Sequence, residues 1–185
     1  MPMLVFPDTR QATEFDCGAA VVQGVLRYYG TDCLGAELIR YLHTDEEGTR
    51  ARNIIGYLLH HGLSVRAGQM TIPELEYWID RSIPVILDIQ AWAEDAGTNY
   101  AATIEEGHYV VAIGYDEDFI YFEDPSLLSV KGKIPREELD ARWHDRSENT
   151  YFEHFGIAVW GNEPQYDPSE VRSIQARVAR RWLGR

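Results

Sequence analysis

Cys17 opens the segment Cys17-Gly18-Ala19-Ala20, and apolar residues follow at positions 21, 22, 25, 26 and 29. That spacing predicts a helix over 17–29, with Asp16 as its N-cap and Gly30 as its stop. A cysteine in the first turn of a helix meets unpaired backbone N–H groups and the positive end of the helix dipole. Both favour a thiolate, the form that attacks carbonyl carbon. Gly18 and Ala19 are small, and the space beside them is expected to admit a substrate. An isolated cysteine is more often a small buried hydrophobe, so Cys17 needs partners before it implies catalysis.

The partners lie far along the chain. Residues 108–115, HYVVAIGY, and 119–123, FIYFE, are rich in β-branched and aromatic side chains. Asp116-Glu117-Asp118 between them reads as a turn, so the two runs predict a hairpin. With the turn centred near 117, residues whose numbers sum to about 233 face each other. His108 and Asp124 are then cross-strand neighbours to within a residue. Asp124 would orient the imidazole through one ring nitrogen and leave the other for a thiol, the arrangement of base and orienter in nucleophilic catalysis. The competing reading makes His108 a sheet-edge histidine and Asp124 a turn residue before Pro125. Gln11, six residues before Cys17, could join the Cys17 backbone N–H in donating to an oxyanion. The competing reading there is a solvated glutamine.

These residues need elements to hold them. Short helices are predicted over 35–43, 51–61 and 72–81, the last with Pro73 near its start, where a missing N–H costs nothing. Residues 63–68 read as a short strand, 84–90 as a buried strand and 151–160 as a further strand. A helical half followed by a mostly antiparallel sheet is an α+β order. Residues 1–166 read as one domain. Residues 167–185 read as a basic amphipathic helix, with Val171, Ile174, Val178 and Trp182 on one face and five arginines from Arg172 onward. Such a helix is expected to dock on the acidic body; the alternative is docking to a membrane or an acidic partner.

Composition bounds the function. The chain has 185 residues, a formal net charge of −13 and two cysteines, Cys17 and Cys33. The charge excludes unspecific nucleic-acid binding, which needs a basic footprint. No apolar run is long enough for a transmembrane helix, and no signal sequence is read at the N-terminus. A cytoplasmic protein with two free thiols is expected. The histidines outside position 108 give no ligand spacing that specifies a metal, so no metal and no cofactor is expected.

The residues also carry a family resemblance. Gln11, the segment Asp16 to Ala20 and the helix ending Tyr28-Tyr29-Gly30 resemble the bacteriocin-processing, or double-glycine leader, peptidases and their stand-alone relatives. So do His108-Tyr109-Val110-Val111, Gly114-Tyr115-Asp116 and Asp124-Pro125, with Glu47-Gly48-Thr49 and the stretch from Leu59 to Val65 between the two motifs. The resemblance covers roughly residues 11–126. It implies a papain-like fold and a peptide or protein substrate. It implies Cys17 as nucleophile, His108 as general base, Asp124 as orienter and Gln11 in the oxyanion hole. The function it implies is a cysteine peptidase working through a thioester. Acyl transfer or deamidation on the same thiol is the alternative, as is a peptide-binding domain that does not cut. Residues 91–107 form a long loop before His108. Trp92 and Tyr100 on that loop either contact substrate or fold back on the body.

Overall fold

The computed structural model describes residues 1–171 except Ala96, Glu148 and Asn149. The first helix, α1 (Cys17–Tyr28), is buried along most of its length, and its valines pack on the sheet. Two short helices follow, α2 (Gly35–Tyr41) and α3 (Ala51–His60). Strand β1 (Ser64–Gln69) leads to α4 (Ile72–Ile79), which starts on a capping box between Thr71 and Glu74. That reciprocal pair satisfies two N–H groups and fixes the start where Pro73 predicts it.

The second half is mostly strand: β2 (Val85–Gln90), β3 (Gly107–Tyr115), β4 (Phe119–Glu123) and β5 (Gly132–Pro135). Helix α5 (Arg136–Arg142) is followed by β6 (His144–Ser147), β7 (Thr150–Glu153) and β8 (Phe155–Trp160). Six strands form one antiparallel sheet in the order β1-β8-β2-β3-β4-β5, and β6 pairs with β7 alone. The core lies between α1 and this sheet, with Val21, Val25, Leu26, Ile86, Val111 and Ile157 fully enclosed.

One expectation needs correction. The run 151–160 is two strands, because His154 adopts φ 49° between β7 and β8. That left-handed residue turns the chain, and pattern alone does not reveal it. The segment 132–147 carries β5, α5 and β6, which are too short and polar to announce themselves. The tail helix expected over 167–185 lies, from residue 172 onward, outside the described residues.

The N-terminal segment brings Gln11 to the second motif. Leu4 N donates to Ile113 O at 2.7 Å, and Tyr115 N donates to Pro2 O at 3.1 Å. Thr9 then donates to the buried Glu123 through its N–H at 2.6 Å and its hydroxyl at 2.9 Å, and Lys131 Nζ neutralises the same carboxylate. Gln11 N closes the path on Pro125 O at 3.1 Å. A buried carboxylate needs this many partners to offset its lost hydration.

Two helical glycines make a paired test of packing. A Cβ at Gly18 would lie 2.6 Å from Thr49 Cβ, whereas one at Gly56 meets nothing within 4 Å. Gly→Ala in an open helix position stabilises by up to about 1 kcal/mol, and overpacking costs about 1–3 kcal/mol. Gly56→Ala is therefore expected to raise the melting temperature by about 2–4 °C, and Gly18→Ala to lower it, in a single thermal unfolding series.

Candidate active site

Cys17 occupies the first turn of α1, and the preceding Asp16 is the N-cap residue but makes no side-chain cap. Its carboxylate turns backward and accepts from Ala12 N at 3.1 Å, Thr13 N at 2.8 Å and Thr13 Oγ1 at 3.0 Å. Asp16 therefore shapes the loop between Gln11 and Cys17 instead of sealing the helix end. The positive end of α1 is left to act on whatever lies beside Cys17.

Gly18 does not widen the approach to Cys17, contrary to expectation. Thr49 and the ring of Tyr109 fill the space where its side chain would be. The glycine lets α1 touch the 47–50 segment closely, and Gly48 and Thr49 form one wall of the cleft.

His108 enters from the start of β3 and is only 6% exposed. Its Nε2 meets Asp124 Oδ1 at 2.8 Å, and the ring interacts electrostatically with Cys17. The hairpin register differs slightly from the expected one. Val111 faces Glu123, and a bulge lies between Ala112 and Gly114. Asp124 thus lies beyond the paired residues and reaches His108 by its side chain. Burial works against a charged imidazole here. The hydrogen bonds and charges of Asp124 and Cys17 outweigh it and raise His108 to about 9. For Asp124, burial pushes upward, and His108, the Ser126 N–H and the Trp92 indole together bring it below the usual carboxylate range.

Asp124 is held on both oxygens. Ser126 N donates to Oδ1 at 2.8 Å, and Trp92 Nε1 donates to Oδ2 at 3.0 Å. The Ser126 bond is an Asx turn, legible in the order Asp124-Pro125-Ser126. The Trp92 bond is not legible in sequence.

Gln11 sits against the same loop. Its Nε2 donates to Thr13 O at 2.9 Å, and its Oε1 accepts from Ser126 Oγ at 3.1 Å. Tyr100 lies under the Arg142 guanidinium, 3.7 Å from the ring centroid, and its hydroxyl accepts from Ala93 N at 3.3 Å. Trp92 and Tyr100 line a cavity of about 350 Å³ on the Asp124 side. The cleft that opens on Cys17, about 370 Å³, is lined by other residues.

That cleft contains groups the sequence reading missed. Asp88 on β2 is 4% exposed and faces Tyr109 across the sheet. Its carboxyl interacts electrostatically with that of Asp145 of β6, and Gln90 Nε2 donates to Asp145 Oδ1 at 3.0 Å. Burial first, and then the neighbouring Asp145 charge, push Asp88 well above the usual carboxylate range; burial raises Asp145 as well. Two buried carboxyls this close oppose each other's ionisation. An aspartate inside the apolar run Val85-Ile86-Leu87-Asp88-Ile89 was the available signal.

The two cysteines are free, and Cys33 is buried, which pushes its thiol up to about 11. Among the described residues no cluster of histidine, cysteine, aspartate or glutamate could hold a metal ion. Among them, too, no helix is long and apolar enough to cross a membrane.

The helical half packed on an antiparallel sheet, with a helix-borne Cys17 and a strand-borne His108 meeting across a cleft, defines a papain-like α+β fold. Residues 6–147 match the family model of the Peptidase C39 family, and the chain belongs to that family. It is 29% identical to the transport/processing ATP-binding protein ComA of Streptococcus pneumoniae over 138 residues. That match covers 72% of this chain but only 17% of ComA, so the chain spans about a sixth of that relative. Among solved structures, the peptidase domain of Streptococcus ComA superposes with a TM-score of 0.64 at 20% identity, covering 88% of this chain and all of that domain. A double glycine motif protease from an AMS/PCAT transporter, solved with its leader peptide, gives 0.63 at 20% identity, covering 86% of this chain and 94% of that one.

Proposed function

We propose that the protein is a cysteine peptidase that cleaves a peptide bond through a Cys17–His108–Asp124 triad. The chain of contacts from the Cys17 thiol through His108 to Asp124, with 2.8 Å at its second link, carries the reading. Cys17 Sγ bonds to the substrate carbonyl carbon while the thiol proton resides on His108. The tetrahedral oxyanion is met by the Cys17 N–H and by Gln11, whose Nε2 carries a second N–H beyond the one on Thr13. A donor of this kind contributes about 3 kcal/mol to the transition state in related chemistry. The C–N bond breaks as His108 gives its proton to the leaving amine. Water, deprotonated by His108, then splits the thioester and restores the thiol.

Kinship supports a substrate class. One neighbour of this fold, a double glycine motif protease, was solved in complex with the leader peptide. A peptide whose leader ends in Gly-Gly is the first substrate to offer here. Two unpaired cysteines suit a reducing compartment such as the cytoplasm.

The test is product mass after incubation with double-glycine leader peptides, using wild type and Cys17→Ala. Two fragments whose masses sum to substrate plus one water are expected from wild type alone. A single product about 1 Da heavier would indicate deamidation, and a new amide would indicate acyl transfer. Binding without any mass change would overturn the enzymatic reading and leave a peptide-binding domain.

A further inference from the structure

We propose that Trp92 is a positioning residue of this reaction: its indole fixes the plane of the Asp124 carboxylate and so holds the His108 ring against Cys17. The inference rests on the peptidase reading above.

The argument begins with the carboxylate. The last torsion of an aspartate is broad and soft. His108 Nε2 and Ser126 N both bond Oδ1 of Asp124, so together they leave that oxygen as a pivot. The bond from Trp92 Nε1 to Oδ2 is on the other oxygen, and it sets the plane. Rotation of the plane would misalign the acceptor that His108 needs, and catalysis is sensitive to such misplacement.

Burial does not explain where Trp92 lies. The residue is 54% exposed, and its backbone sits at φ 65°. A non-glycine residue holds that conformation only where its surroundings impose it. Here both flanks are pinned. Ala91 N donates to Glu106 O at 2.9 Å, and Glu106 N donates to the Gln90 side chain at 3.0 Å. Ala93 N donates to the hydroxyl of Tyr100, which Arg142 covers. Neighbouring antiparallel strands need only a short turn between them. The chain between β2 and β3 is far longer, and its first polar contact with the triad is the indole of Trp92.

The bond also has an electrostatic sign. An N–H donor favours the charged carboxylate, and a charged Asp124 keeps His108 protonated. Other charges face this group: Lys133 from β5, and Glu138 and Arg142 from α5, line the cavity beside Asp124, while Cys17 of α1 lies across the ring. None of these changes in Trp92→Phe, which keeps the ring and removes the donor.

Two readouts test the proposal on the full chain: kcat and KM for a cleaved peptide across pH, and the rate at which iodoacetamide alkylates Cys17. Trp92→Phe is expected to lower kcat about tenfold, as loss of one charge-assisted hydrogen bond does, with KM unchanged. The alkaline fall in turnover is expected to move to lower pH, and alkylation at pH 7 to slow. A raised KM with kcat and alkylation unmoved would make Trp92 a substrate contact and overturn the proposal. Rapid wild-type alkylation with a variant identical in every readout would overturn it alone. Wild-type alkylation of Cys17 no faster than that of Cys33 would overturn the peptidase reading and this proposal with it.

Discussion

Brief treatment with iodoacetamide near neutral pH is expected to add one label to the protein, at Cys17, before Cys33 reacts at all. Cys33 is buried and its thiol is pushed up to about 11, so it presents almost no thiolate. Cys17 is only 7% exposed as well, so accessibility does not separate the two. The separation is expected to come from His108, which interacts with Cys17 and is raised to about 9. A cationic imidazole stabilises a thiolate beside it. His108→Ala is therefore expected to slow the labelling of Cys17 by about a hundredfold, the scale of a positioned acid–base partner. Intact mass against time, for wild type, Cys17→Ala and His108→Ala, reads this directly. Equal slow labelling of both cysteines, indifferent to His108, would remove the basis for a nucleophile.

The same group sets the pH dependence. A histidine raised in the folded state stays protonated from its unfolded value, near 6.5, up to about 9. The stability it contributes is fully present below the unfolded value and is lost as pH rises through the folded one. The proton it carries is also the one the leaving amine needs. Turnover is expected to hold through neutral pH and fall above about pH 9, as His108 loses that proton.

The parts of this site differ in how far they could be read without coordinates. Helix α1 was legible because Val21, Val22, Val25 and Leu26 repeat at helical spacing, and β2 to β4 because their runs are apolar and bounded by turns. The pairing of His108 with Asp124 was legible as neighbourhood but not as register, since the bulge near Gly114 leaves no compositional mark. The direction of the Asp16 side chain was not legible either, because an N-cap aspartate and a loop-forming one have the same sequence signature. Trp92 and Asp145 depended on tertiary placement. Trp92 reaches Asp124 across 32 residues, and Asp145 reaches Gln90 across 55 from a strand too short to predict. Local pattern reports what an element buries, and it says nothing of which distant carboxylate an exposed indole will meet.

Asp88 provides the second large effect, and its sign is opposite to that of an ordinary stabilising contact. Asp88→Asn is expected to raise the melting temperature at pH 8 and leave it nearly unchanged below pH 4. Burial, joined by the charge of Asp145, holds the Asp88 carboxyl well above the usual range in the folded protein. An unfolded aspartate ionises near 3.9. Below that value both states keep the proton, and the folded state loses nothing. As pH rises, the unfolded chain gains the free energy of ionising while the folded one resists it, so stability declines through the folded value. Asparagine has no proton to lose. Its amide can donate to the Asp145 carboxylate beside it. Each kcal/mol recovered appears as about 2–4 °C in a domain of this size. The proof is the pH dependence of the difference between variant and wild type, because carboxylates with lowered values such as Asp124 cancel in that difference. A difference that is constant with pH would mean that Asp88 is not the group resisting ionisation. A carboxyl kept in the Cys17 cleft against its own ionisation is a local cost to the fold. Sites commonly carry such costs where chemistry needs the group. The kcat/KM of the stabilised variant is the measure of that need.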